Sequence, residues 1–297
     1  MPGDSRPGPL PPPKTGGVEV QPASVRDPVP GQTGGPRGEV SAVRASVPVS
    51  TQRQERMRVP PQGAGKVSPG DIAATACFAS LTAGEGVRIG LLGDPGSGKS
   101  YAAKALAARY LAACRGLVAV ADSKGDGGWP GDVRESVAAL AENPPTSREI
   151  VFTPDAFGEP LDLESVARWQ WSLAARRCRS LVVYDELGDG CGSGEWLPGT
   201  RDLPRVFTHG RRVGISAIWG AQFAQIVPRE PYETSSYLLV WRQAGNALAI
   251  LRRRGYTDDE SEAAIRALPG DSVPPDKRGA FVLLRRGRPW DRHIYRF

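Results

Sequence analysis

From Val87 onward, short apolar runs alternate with longer stretches whose apolar residues recur every three or four positions. Val87, Ile89, Leu91 and Leu92 begin the series, and the runs 117–121, 149–153, 181–184, 214–219 and 237–241 continue it. Runs of this length with little polar alternation predict strands buried on both faces. Residues 99–114, about 132–141 and 163–177 read as helices, with Gly116 closing the first. Strands that alternate with helices imply right-handed crossovers, so the fold class expected is α/β, a mostly parallel sheet with helices on both faces.

The ending departs from this rhythm. A helix capped by Thr257, Asp258, Asp259 and Glu260 runs to about Leu268, and 280–284 with 292–295 then predict a small C-terminal hairpin. At the other end Ser68, Pro69 and Asp71 form an N-terminal helix signal, for a helix through Ala76 and Phe78 that stops near Gly84.

Residues 1–66 have no apolar period and hold clusters of Pro and Gly, among them Pro11, Pro12, Pro13, Gly34, Gly35 and Pro36. Such a segment cannot bury enough surface to offset its ordering entropy, so a disordered tail, 1–66, is expected before one domain, 67–297. The net charge of +6 concentrates at the ends: nine Lys/Arg against five Asp/Glu up to Lys66, and seven against two from Asp276. Basic ends suit an anionic polymer, and they equally suit solvated, solubilising termini. Cys77, Cys114, Cys178 and Cys191 show no C-x-x-C spacing, and only His209 and His293 could join them, which argues against structural zinc. Without a secretion signal they fit a reducing cytosol, and no apolar run reaches the ~20 residues of a membrane span.

The chemistry centres on Gly93, Asp94, Pro95, Gly96, Ser97, Gly98, Lys99 and Ser100, followed by Tyr101 at the start of a helix. This is G-x-x-x-x-G-K-[ST] between a strand and a helix, and roughly 0.01 accidental matches are expected in a chain of this length. The glycines allow a concave backbone whose N–H groups point at phosphate oxygens, with the helix N-terminus beneath them. Lys99 would neutralise β- and γ-phosphate charge and the Ser100 hydroxyl would be a hard ligand for Mg²⁺. A nucleoside triphosphate is the ligand this pattern implies.

A second strand, 181–184, ends in Asp185 and Glu186, at the edge of a parallel sheet where ligands collect. Asp185 can hold Mg²⁺ through water, and Glu186 can deprotonate an attacking water. Gln222, just past 215–219, offers an amide to a γ-phosphate or that water; an amide satisfied by local backbone is the alternative.

Three further stretches carry a resemblance. Asp122-Ser123-Lys124-Gly125 looks like the D-x-K-G after the second strand of the FtsK/HerA superfamily of ring-forming motors, and Lys124 is one of only six lysines beside 32 arginines. Arg211-Arg212-Val213-Gly214-Ile215-Ser216, continuing to Gln222, is similar to that family's R-x-x-G-I-S strand. Leu268-Pro269-Gly270 with 280–287 is similar to its closing strand. The resemblance implies a RecA-like, ASCE-type P-loop NTPase that hydrolyses ATP with Mg²⁺ in a homo-oligomeric ring, a hexamer in the family's manner, and translocates double-stranded DNA. It assigns Lys99, Ser100, Asp185 and Glu186 to the chemistry, Gln222 to sensing, and Arg211, or else Arg212, to a finger acting on the neighbouring subunit's nucleotide.

The chain lacks the membrane-spanning segments and winged-helix module of segregation motors, which favours a phage- or plasmid-type packaging or transfer motor. Competing readings are an ATPase for protein secretion or virion extrusion, like zonular-occludens-toxin proteins, and a slow nucleotide-gated module that recruits a protein partner through the Pro-rich tail. Trp169 and Trp171 point to different sides of their helix, so both cannot be core; packing alone accounts for them, and one at a subunit interface is the alternative. The glycine-rich loops 126–129 and 188–196, each with a terminal Trp, are candidates for mobile channel-lining loops.

Overall fold

The first apolar run becomes β1 (Arg88–Leu92), all five residues of which are buried. It feeds α1 (Lys99–Ala113), and β2 (Leu117–Ala121) follows after a short turn. In this computed structural model the residues described are 85–125, 128–155, 158–270 and 279–297, with Thr75, Cys77 and Phe78. They fall within one unit, Pro61–Phe297. The expected tail and the helix signal at Ser68, Pro69 and Asp71 lie outside the described residues.

After β2 come β3 (Asp132–Arg134), α2 (Ala139–Glu142), β4 (Glu149–Phe152), α3 (Leu163–Ala175) and β5 (Ser180–Tyr184). A two-stranded ribbon of β6 (Cys191–Gly192) and β7 (Glu195–Trp196) precedes α4 (Asp202–Thr208) and β8 (Ile215–Ala221). The chain closes with α5 (Arg229–Thr234), β9 (Tyr237–Val240), α6 (Gly245–Arg253), α7 (Asp259–Ala267), β10 (Phe281–Leu284) and β11 (Ile294–Tyr295).

Nine strands make the main sheet in the order β11-β10-β9-β1-β8-β5-β2-β4-β3. Neighbours from β9 through β3 are parallel, while β10 is antiparallel to β9 and β11 to β10. The expected mostly parallel sheet and C-terminal hairpin are borne out. Strand β8 lies between β1 and β5, which brings the ends of three site-bearing strands side by side.

Period-two alternation divides the core. Ile89, Leu91, Val118 and Val120 pack with Leu106 and Tyr110 of α1 on one face. Leu92, Ala119, Ala121 and Trp219 pack with Val166, Phe207, Leu248 and Ile265 on the other. Each fully buried leucine on these faces contributes about 2–3 kcal/mol from removing its side chain from water.

The expected helix 132–141 is corrected: its first part is an edge strand pairing with β4, and only Ala139–Glu142 is helical. Asp132 accepts hydrogen bonds from the backbone of Thr146 (2.6 Å) and Ser147 (3.2 Å), which ties the segment to the turn before β4. Gly131 (φ 125°) allows that approach, because a Cβ there would lie 2.6 Å from the Glu149 carbonyl oxygen. Tertiary pairing overrides helix propensity here.

Both tryptophans of α3 are half-buried and packed against their own chain. Trp169 meets Phe152 edge-on at 5.5 Å, and Trp171 donates to the Asp202 carbonyl (3.2 Å) under Arg205. The loop 188–196 is a 3-10 turn and the β6–β7 ribbon, pinned by Trp196 stacking on Phe207 and donating to Glu230. Asp126 and Gly127 of the other loop lie outside the described residues; its Trp129 is buried beneath Lys104.

Candidate nucleotide site at the C-terminal edge of the sheet

Strand β1 delivers the chain to the C-terminal edge of the sheet, where it turns through Gly93–Ser100 into α1. Gly98 is the N-cap at φ 104°, and neither a capping side chain nor an acid fills the first turn. The helix start therefore keeps its N–H groups and positive dipole end available to an anion. Gly96 (φ 72°) would place a Cβ in open space, and Gly93 would drive one to 2.6 Å from Ser97 Oγ. The loop is concave, and Ser97 Oγ is buried in it without a hydrogen-bond partner among the described residues. An orphaned hydroxyl in a backbone cradle above a free helix end is a donor set that fits phosphate oxygens.

Lys99 is buried and its ammonium folds back to donate to the carbonyls of Gly93 (2.6 Å) and Asp94 (2.9 Å). Burial pulls its pKa below the usual lysine range, and Glu186 acts against that pull. Ser100 donates to Asp185 Oδ1 at 3.0 Å. Burial pushes the Asp185 carboxyl up, while the Ser100 hydrogen bond opposes it and Asp122 adds to it. A hydroxyl and a carboxylate this close are the two protein ligands that a phosphate-bound Mg²⁺ needs, since that ion keeps several waters. No cluster of three or more His, Cys, Asp or Glu able to hold a metal by itself occurs among the described residues.

Glu186 is buried beside Asp185, and burial raises its pKa too, with Lys124 as the chief opposing charge. Its Oε1 accepts from the Gln222 backbone N–H at 3.4 Å, and Lys124 Nζ lies 3.9 Å from Oε2. The ends of β1, β5 and β8 thus bring together Lys99, Ser100, Asp185, Glu186 and Gln222. A carboxylate with a raised pKa and few fixed hydrogen bonds is a competent base for water.

Arg211 is not among them. It sits in the 3-10 turn Gly210–Val213 that enters β8, at the opposite edge of the sheet, and pairs with Glu85 at 2.7 Å. The seven residues of β8, at about 3.3 Å each, separate it from Gln222 by roughly 20 Å. Neither Arg211 nor the exposed Arg212 reaches the site of its own chain. Beneath Arg211 lies Arg88, fully buried, donating to the carbonyls of Val206 and Ile215. Burial and the Arg211 charge pull its pKa down.

Sequence reasoning gave no site role to Asp122, Lys124 or Trp241. Lysine scarcity singled out Lys124 without saying what it touches. Trp241 and Arg242 line a narrow cleft beside the loop with Asp94, Ser97, Pro269, Gly270 and Gly279. Only the fold joins these distant segments.

No protein-family model and no curated protein sequence matches this chain. Solved structures do. The genome packaging NTPase B204 of Sulfolobus turreted icosahedral virus 2 in complex with sulfate matches with TM-score 0.55 and 15% identity, over 71% of this chain and 96% of that one. Its complex with ATP-gammaS matches with TM-score 0.53 and 15% identity, over 70% and 95%. The AMPPCP complex gives 0.51 and 14%, over 67% and 91%. The likeness establishes the fold of this chain as that of a P-loop NTPase.

Proposed function

We propose that this protein is an ATPase of the FtsK/HerA superfamily, working in the cytoplasm as a homo-oligomeric ring, hexameric in the family's manner, that translocates double-stranded DNA in packaging or transfer. The observation that carries the hydrolytic reading is the Ser100–Asp185 contact of 3.0 Å with Glu186 next in sequence, all beneath an open phosphate loop. The fold likeness to a genome packaging NTPase solved with ATP-gammaS and AMPPCP supports ATP as the nucleotide and a packaged genome as the cargo.

In this reading Gly93–Gly98 and the first turn of α1 hold phosphate oxygens, and Lys99 exchanges its two loop carbonyls for the β- and γ-phosphates. Tyr101, 66% exposed at the start of α1, borders the bound nucleotide. Mg²⁺, when bound through Ser100 and Asp185, spreads the charge that builds on the phosphates. Glu186 takes a proton from the attacking water, and Gln222 reports occupancy along β8. Arg211 completes the charge balance only in trans, since it faces away from its own site. The basic tail and the C-terminal arginines Arg285, Arg286 and Arg288 provide phosphate-backbone contacts, and the Pro-rich tail is the place for a protein partner.

No helix of the described residues is long and apolar enough to cross a membrane. The deciding experiment is the ATPase rate of the assembled protein with and without duplex DNA, at low and physiological salt. Stimulation without sequence preference is expected. A rate indifferent to duplex across that range would overturn the DNA-motor reading in favour of a protein-secretion ATPase or a nucleotide-gated binding module.

A further inference from the structure

Away from the nucleotide site, a cleft of about 570 Å³ opens between the β6–β7 turn, the segment after β8, and helices α5 and α6. Arg229, Arg253, Arg254 and Arg286 line it, with Glu233 as its one acid. Glu233 is already engaged, by Arg229 at 2.5 Å and by Arg286, which also donates to the Glu233 carbonyl at 3.1 Å. Arg253 is exposed and has no carboxylate partner among the described residues. Arg254 lies over the Tyr232 ring at 4.6 Å and also lines the cleft. Burial, with the Arg229 and Arg253 charges adding to it, holds Arg254 below the usual arginine range. Four guanidinium groups against one shared carboxylate make a site short of negative charge.

The other wall is built from the two chain segments that leave the nucleotide site. Gln225 and Val227 follow Gln222, whose N–H bonds Glu186; Ser193 and Gly194 follow Asp185 and Glu186 through the 3-10 turn. The segments are pressed together: a Cβ on Gly188 would lie 2.3 Å from Ile226, and one on Gly194 would lie 3.0 Å from the Gln225 carbonyl.

We infer that this arginine-lined cleft is a binding site for the phosphodiester backbone of duplex nucleic acid, and that its occupancy is felt at Glu186 through the paired segments. The inference rests on the DNA-motor reading and locates a grip for it. Guanidinium groups make paired hydrogen bonds with phosphate oxygens and read no bases, so the grip is sequence-independent. Of the C-terminal arginines, Arg286 lines the cleft, while Arg285 lies over Tyr237 outside it, where any contact it makes is separate.

The test uses the full chain and a fluorescent duplex of mixed sequence, followed by anisotropy across a salt series, with ATPase rates measured beside it. Arg253→Ala/Arg286→Ala should weaken duplex binding roughly ten-fold and flatten the log–log salt slope by about two, one per lost phosphate contact. Duplex stimulation of hydrolysis should fall in step with the lost affinity. Arg253→Lys/Arg286→Lys should keep most of the affinity, so a loss in the alanine form alone marks the charge as the cause. Arg115→Ala/Arg176→Ala, which removes equal charge from exposed positions elsewhere, should leave binding near the parent value. Parent-like binding by the alanine pair, or an equal loss in the control, would overturn the cleft while leaving the DNA-motor reading intact. Displacement by polyglutamate as effective as by duplex at equal charge would also overturn it, in favour of an acidic protein surface. A parent that binds no duplex would bring down the motor reading, and the cleft with it.

Discussion

At the C-terminal edge of the sheet, Lys99 is buried beside two carboxylates whose own pKa values burial raises, and its donors rest on two loop carbonyls. At the N-terminal edge Arg88 is buried more completely still, yet no acid pairs with it among the described residues and its donors go to strand and helix carbonyls. The first arrangement is held by bonds a phosphate can replace. The second satisfies carbonyls that would otherwise be orphaned, so it belongs to the architecture. A buried cation marks chemistry only where its partners are exchangeable and acids converge on the same space.

Glu186→Gln breaks the C-terminal edge most sharply. It removes the proposed base while keeping the shape, so hydrolysis should fall by about 10²–10⁴-fold with nucleotide affinity nearly unchanged, checked by phosphate release beside a binding titration. The same change should raise Tm. A carboxyl with a raised folded-state pKa contributes stability below its unfolded pKa and loses it as pH rises through the folded value, so at neutral pH the buried charge is a cost. The acid limb of the parent's pH–rate profile should accordingly lie above the ordinary carboxylate range. A limb within that range would mean that Glu186 is not the group being titrated.

Lys99→Ala removes the charge instead of the base. Losing a charge-assisted contact should weaken nucleotide binding about 10–100-fold, read by displacement of a fluorescent nucleotide. Unaltered affinity would show that the loop backbone alone holds the phosphates.

Much of this edge was legible because its signals are local. The phosphate loop, its flanking strand and helix, and the Asp185–Glu186 strand end are contiguous patterns whose physics needs only neighbours in sequence. The edge strand at Asp132 was not legible, because its cause is the long-range tie to Thr146 and the close pass of Gly131 over Glu149. Helices α4, α5 and α6 were missed because each is short, even though Leu203, Val206 and Phe207 in α4 and Ala247, Leu248 and Leu251 in α6 do form apolar stripes. Lys124 and Trp241 reach the site only through strand order, which no spacing in the chain encodes.

At the N-terminal edge, Arg88→Met should cost about 2–3 kcal/mol of stability, because it orphans the Val206 and Ile215 carbonyls, offset in part by the desolvated charge it removes. Thermal melting checks it. A loss well under 1 kcal/mol would mean those carbonyls find water.

The smallest effect on the single chain belongs to Arg211, and it is the most telling. Its pair with Glu85 is about half exposed on both sides, at 48% each, so screening leaves it at most ~1 kcal/mol. Arg211→Ala should therefore barely move Tm and should leave nucleotide affinity as it is, since the residue lies roughly 20 Å from its own site. In the proposed ring it should nevertheless lower hydrolysis, because on that reading a guanidinium from the neighbour supplies charge that the site itself lacks. Mixing Arg211→Ala with Lys99→Ala separates this from a structural defect. Each variant is impaired alone, but in mixed rings some interfaces pair an intact loop with an intact finger, and part of the activity should return. Mixed rings that form and stay inactive would place the finger at Arg212 or remove it from the mechanism. The N-terminal edge would then be architecture throughout.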